Sequence, residues 1–217
     1  MRERSYYPIA LDVQGRRAVV VGGGSVARRK IETLLECGAG VLVVAPAVDA
    51  AVAAMADEGR IELLRRAYEP EDLEGAFLVI AATDSPALNA EIAAEARGRG
   101  ALANSVDPPE ASDFLVASGV RRGDLTLGVF TGGSSPALAR RIREQLEAQF
   151  GPEYAELAAL LGRLRPDVAA ALPTDRERAR VWHRILDSDV LDLLRAGRTE
   201  DAEKLARQIV SEGGSGE

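Results

Sequence analysis

The chain has 217 residues, one cysteine, one histidine and a formal charge of −7, with 47% hydrophobic and 28% charged residues. That length allows one sizeable core and a smaller appendage, while the composition excludes an internal disulfide framework and a broad cationic surface for nucleic acid. The longest apolar run, Ala76 to Ala82, is far short of a bilayer span, and Met1-Arg2-Glu3-Arg4-Ser5 leads into no signal-like stretch, so no membrane role and a reducing cytoplasm are expected.

In chain order, "RAVVVGG" reads as a strand and "SVARRKIETLLECG" as a helix, with Val26, Ile31, Leu34 and Leu35 on one face and Gly38 as its stop. "GVLVVAP" is a second buried strand, ended by Pro46, followed by the helix "DAAVAAMADEG" and a short strand in "RIELLRRAY". "AFLVIAATDS" is the third strongly apolar strand. "PALNAEIAAEARGRG" is a helix with Pro86 in its first turn, and "ALANSVD" is another strand. Strands without internal alternation, separated by helices, imply a parallel sheet covered on both faces. Residues 1–113 are therefore expected to form a Rossmann-type doubly wound α/β domain. "DFLVASGVRRGDLTLGVFTGG" then reads as a hairpin turning at Arg121-Arg122-Gly123-Asp124, and "SSPALARRIREQLEAQF" as a helix capped by Ser135, giving a small α+β segment over 114–150. Residues 151–217 read as a helical region broken by Pro166 and Pro173, with "EGGSGE" as a disordered tail.

Gly22, Gly24 and Ala27 fit G-x-G-x-x-A between a strand and a helix. The first glycine permits the sharp turn, the second lets the backbone approach a pyrophosphate, and the small alanine lets helix and strand pack closely. The helix N-terminus then offers free N–H groups to the phosphates. The acid that usually ends the second strand and binds ribose is replaced by Ala45-Pro46-Ala47, with Asp49 slightly beyond. The residues alone leave NAD and NADP both open.

"VVVGGGSVARRK", "VVAP", "IAATDS", "NSVDPPEASDF" and "TGGSSPALARRIREQLE" resemble, in this order, the siroheme synthase N-terminal family. Its members are precorrin-2 dehydrogenases, some also sirohydrochlorin ferrochelatases. The match runs from about Tyr7 to Phe150, and beyond Gly151 it extends only to length and helical character. The resemblance implies NAD-dependent oxidation of precorrin-2 to sirohydrochlorin by a homodimer whose hairpin and following helix exchange contacts. It implies Asp107 as the important acid, and cofactor contacts at Ser25, Val26, Pro46, Ala47, Thr83 and Asp84 besides Gly22 and Gly24. A serine singled out in some members corresponds to Thr131, which keeps the hydroxyl.

Asp107 closes a predicted parallel strand, at the edge where doubly wound sheets bind ligands. Two readings are open: a carboxylate that takes the proton released on dehydrogenation, or a cap of the turn into Pro108-Pro109. The substrate implied is a polycarboxylate, and "TGGSSP" is a glycine-rich turn at a helix N-terminus suited to anions. Thr131, Gly132, Gly133, Ser134 and Ser135 are thus expected substrate contacts, with Asn104 and Ser105 beside Asp107. Arg121, Arg122, Arg140, Arg141 and Arg143 read first as a solvated basic face with Arg140–Glu144 and Arg143–Glu147 pairs. Cys37 and His183 have no metal-site spacing and read as packing or surface residues, so no metal ligand is expected and iron insertion rests on the resemblance alone. The alternative is an NAD(H)-binding redox sensor without catalysis, which has no need of a strand-end acid and an anion-binding turn. A dehydrogenase for another small substrate would usually show a Tyr/Lys or His acid–base group near the sheet edge.

Overall fold

The computed structural model describes residues 5–213. They form two compact units, one ending at Val116 and the other beginning at Ala117.

The first unit is a parallel sheet of five strands: β1 (Arg17–Val21), β2 (Gly40–Val44), β3 (Glu62–Leu64), β4 (Leu78–Ala81) and β5 (Leu102–Ser105), in the order β3-β2-β1-β4-β5. Three helices connect them: α1 (Ser25–Glu36), α2 (Ala50–Asp57) and α3 (Pro86–Gly98). The uniform apolar runs are explained by the two covered faces. Ala18 and Val20 of β1 pack with Ile31 of α1 and Val52 of α2. Val19 and Val21 pack on the other face with Leu73 and with Ile92 of α3. Val19, Val20, Val43 and Val44 have no solvent exposure, and each such side chain contributes roughly 1.5–3 kcal/mol.

The register decides where a site can form. Val21 lies level with Val44 and Ala81, and Ala81 with Ser105. The segments that follow these residues leave the sheet along one edge, on both sides of the point where strand order reverses.

The strand expected in "RIELLRRAY" is only three residues long. The Arg66 guanidinium turns away to bond the Asp72 carboxylate at 2.8 and 2.5 Å, and Asp72 also accepts from Glu69 N at 2.9 Å. The Asp72 side chain is 4% exposed. The hydrogen bonds from Arg66, then that from Glu69, hold it below the usual carboxylate range against the opposing effect of burial.

The second unit opens with the antiparallel pair β6 (Ser118–Arg122) and β7 (Leu125–Val129), turning at Gly123-Asp124. β6 starts later than "DFLVASGV" suggested, because Asp113 N donates to Ala103 O at 2.8 Å and Phe114 O accepts from Asn104 at 2.9 Å. Helix α4 (Pro136–Gln149) follows, and then α5 (Glu153–Ala171), α6 (Asp175–Leu186), α7 (Val190–Arg195) and α8 (Thr199–Gly213). The last four share a core that includes Leu160, Leu164, Ile185, Val190 and Ala206.

Pro166 does not break the chain there, contrary to the sequence expectation: it lies inside α5. The buried stripe Leu157, Leu160, Leu164 and Val168 spans the missing hydrogen bond, and its burial outweighs the roughly 3 kcal/mol penalty of an interior proline. Pro173 does follow a helix end. The tail expectation is also corrected in part, since Glu212 and Gly213 belong to α8, and residues 214–217 lie outside the described residues. No helix among the described residues is long and apolar enough to cross a membrane.

Candidate functional site

A cleft of about 740 Å³ opens at the edge set by the strand register, walled by Gly22–Ala27, Val44–Asp49, Ala67, Tyr68, Ala82–Asp84, Leu88 and Val106. Its size is that of a small-molecule site. The three glycines meet different demands. Gly22 has φ +126°, and a Cβ there would lie 2.2 Å from Ala82 O. A Cβ on Gly23 would lie 2.3 Å from Ala47 O, while Gly23 O accepts from Asp49 N at 2.9 Å. A Cβ on Gly24 would meet nothing within 4 Å.

Room at Gly24 therefore lies on the open side of the turn. The N-terminus of α1 has no side-chain cap and no acidic residue in its first turn, so its first N–H groups are available to an anion. Ala27 has no exposure. This donor set fits the pyrophosphate of a dinucleotide. Gly22, Gly24, Ser25, Val26, Pro46, Ala47, Thr83 and Asp84, all named from sequence, line this one cleft. Gly23 was missed as a contact point, although it stands in the middle of the motif.

Asp49, the acid nearest the expected ribose position, is the N-cap of α2: its Oδ1 accepts from Val52 N at 2.8 Å. Its Oδ2 lies 3.7 Å from Arg28 Nε.

Asp107 is carried by the loop after β5. Val106 N donates to Ala81 O at 2.9 Å, and Asp107 itself is exposed. No side chain caps the short 3-10 turn Pro109–Ala111 that follows. The base of the loop is stapled. Ser112 Oγ accepts from Ser105 N at 2.9 Å and donates to Ser105 O at 3.0 Å. Asp113 accepts from Ala103 N at 2.9 Å and from Arg97 Nε at 2.6 Å. Asn104 and Ser105, expected to touch substrate, are instead buried and absent from the cleft wall. The Asn104 amide donates to Phe114 O, so this pair holds the loop. The reason is local: both faces of β5 are covered, so the Asn104 amide finds its partner inside, while Ser105 is held through its backbone N and O and its buried Oγ has no hydrogen-bond partner among the described residues.

The second glycine turn belongs to the second unit. Thr131 Oγ1 donates to Ser135 O at 3.1 Å and accepts from Ser135 N at 3.3 Å, while Ser134 N donates to Thr131 O at 2.9 Å. Ser135 Oγ caps α4 by accepting from Leu138 N at 3.2 Å. Gly132, Gly133 and Ser134 are exposed, so the turn presents backbone rather than the Thr131 hydroxyl. Three of the neighbouring cations have partners: Arg140 with Glu144 at 3.0 Å, Arg143 with Glu147, and Arg122 with the carbonyls of Phe150 and Glu147 at 2.9 and 3.4 Å. Cys37 caps the C-terminus of α1, and His183 lies in the last turn of α6. Among the described residues no three His, Cys, Asp or Glu stand together as metal ligands.

Three family models match consecutive stretches of the chain. The one described as "Putative NAD(P)-binding" covers residues 9–118, the sirohaem biosynthesis protein central model covers 122–149, and the sirohaem synthase dimerisation region covers 153–210. The chain belongs to the siroheme synthase N-terminal family. A siroheme synthase of Pseudomonas entomophila (strain L48) is 42% identical over 205 residues, which are 94% of this chain and 44% of the relative. One from Methylococcus capsulatus is 40% identical over 200 residues, 92% of this chain and 42% of the relative. The chain thus spans less than half the length of these curated relatives. Among solved structures, SirC, a precorrin-2 dehydrogenase, is similar with a TM-score of 0.74 and 26% identity, over 94% of this chain and all of that one. The NAD(P)-binding match covers all five strands of the doubly wound sheet, and the sirohaem matches run from Arg122, the last residue of β6, through β7 and α4, and then from Glu153 into α8.

Proposed function

We propose that the chain oxidises precorrin-2 to sirohydrochlorin with NAD, as a cytoplasmic homodimer. The observation that carries the reading is the open cleft at Gly24 and the uncapped α1 N-terminus, on the same sheet edge as the loop bearing Asp107. Support for the substrate comes from SirC, named a precorrin-2 dehydrogenase, whose full length is matched. The NAD(P)-binding match supports a dinucleotide, and the choice of NAD follows the family resemblance.

In this reading the turn Gly22–Ala27 binds the pyrophosphate. Pro46 and Ala47 contact the ribose through backbone, and Thr83 and Asp84 line the nicotinamide side. NAD, when bound, supplies the hydride acceptor. The oxidation removes two hydrogens from precorrin-2, one of which NAD would take as hydride while the other leaves as a proton. Asp107 accepts that proton and releases it to water. The exposed Gly132–Ser134 backbone and the first turn of α4 bind substrate carboxylates, while Asn104 and Ser105 hold the Asp107 loop. The functional division follows 1–113 for the cofactor, 114–150 for substrate and dimer contacts, and 151–217 for dimerisation, the last supported by the dimerisation-region match.

Anaerobic incubation with precorrin-2, with and without NAD, tests the reading through the tetrapyrrole spectrum and NADH absorbance. Sirohydrochlorin and NADH should rise together only with NAD, and Asp107→Asn should lower that rate by about 100-fold or more. NAD binding without either product would leave the redox-sensing alternative. In solution the mass should be near twice 23.0 kDa.

A further inference from the structure

Asn89 lies in α3 and has no solvent exposure. Its side chain is fully hydrogen-bonded. Oδ1 accepts from Thr83 N at 3.0 Å and from Thr83 Oγ1 at 2.7 Å. Nδ2 donates to Thr83 O and to Asp107 O, each at 3.1 Å. The partners fix the amide's orientation, because a backbone N–H can only donate and two carbonyls can only accept. One nitrogen therefore ties the ends of two neighbouring strands: the β4 end in the cleft wall and the β5 end that carries Asp107.

The arrangement is selective for a primary amide. An aspartate of the same shape keeps the two acceptor contacts to Thr83 but, when ionised, loses both donors and sets a charge beside two carbonyls. The network touches the cofactor side through Thr83 and the acid side through Asp107, and only the acid-side contact is made by Nδ2 alone. Asp113, Ser112 and Arg97 anchor the far end of the loop, so Asn89 is a separate anchor at its near end.

We propose that Asn89 is a positioning residue for the dehydrogenation: it holds the Asp107 backbone against the dinucleotide edge and so aims the carboxylate. The proposal rests on the dehydrogenase reading above. Asn89→Asp should lower kcat by about 10–100-fold while leaving the dissociation constant for NAD within about threefold, since the two acceptor contacts to Thr83 N and Oγ1 remain and only the Nδ2 contacts to Thr83 O and Asp107 O are lost. The ratio of its kcat to that of the unchanged enzyme should rise as pH falls, because a protonated carboxyl regains one donor.

The deciding measurement is a double-mutant cycle with Asp107→Asn in the full chain, reading kcat and, separately, NAD affinity. If Asn89 acts through Asp107, the double variant should turn over no more slowly than Asp107→Asn alone, within about twofold. Additive losses, or a fall in NAD affinity equal to the fall in kcat, would overturn the proposal. Asn89→Ser, small and neutral, enters the same cycle should the aspartate variant not fold; because serine also gives up the Oδ1 contacts to Thr83, additivity in kcat alone decides there. Absence of turnover in the unchanged chain would instead sink the dehydrogenase reading and this proposal with it. Normal turnover with an additive cycle sinks this proposal alone.

Discussion

Gly22 and Gly24 stand two residues apart and answer to opposite constraints. A methyl at Gly22 meets Ala82 O at 2.2 Å from a left-handed backbone, so Gly22→Ala should destabilise the first unit by about 2–4 kcal/mol in denaturant unfolding. A methyl at Gly24 meets nothing within 4 Å and φ is −83°. Gly24→Ala should therefore change stability by no more than about 1 kcal/mol yet weaken NAD binding at least about tenfold, because the methyl stands where the pyrophosphate approaches. Calorimetry on both variants separates the two roles. Asp72 supplies the pH dependence. Its folded pKa is depressed, first by Arg66, so its stabilisation is present above the unfolded value of about 3.9 and is lost as pH falls through the lower folded value. The thermal midpoint of Asp72→Asn should lie below that of the unchanged chain at neutral pH, and the gap should close below about pH 4. The cofactor residues were legible in the sequence because their motif is contiguous. Asn89 and Gly23 were not, because their partners at 83, 107, 47 and 49 reach them only through other loops.

At the scale of elements, local pattern and tertiary packing disagree at Pro166. The proline predicts an end, whereas α5 runs unbroken from Glu153 to Ala171 along a buried leucine stripe. Pro166→Ala should raise the stability of the second unit by about 1–3 kcal/mol, the recovered hydrogen bond and relieved crowding being partly offset by a more flexible unfolded chain. Chemical denaturation followed by helix circular dichroism reads the change. The same competition shortens β3, where the Arg66–Asp72 contact takes residues that "RIELLRRAY" would have given to a strand. Asn104 and Ser105 show it once more. They stand beside an exposed acid in sequence, yet the alternation of a covered strand and the Ser112 staple bury them.

At the scale of the whole molecule, each unit has its own core: the two faces of the sheet in the first, the α5–α8 cluster in the second. A chain ending at Val116 should therefore fold and bind NAD within about threefold of the full chain, yet form no sirohydrochlorin, since the second glycine turn is missing. Isothermal titration beside the anaerobic assay checks both halves of that expectation. By itself the sequence determined the doubly wound fold class, the dinucleotide turn and the family, because apolar periodicity, a contiguous glycine motif and capping residues act within a few residues of one another. Only the tertiary structure decided that Asp49 caps α2, that Asn104 and Ser105 brace the Asp107 loop, that Asn89 bridges two strand ends and that α5 passes through a proline. Each of these depends on hydrogen bonds or burial between residues brought together by the register of the sheet or by helix packing, and no local pattern encodes which partner will be there.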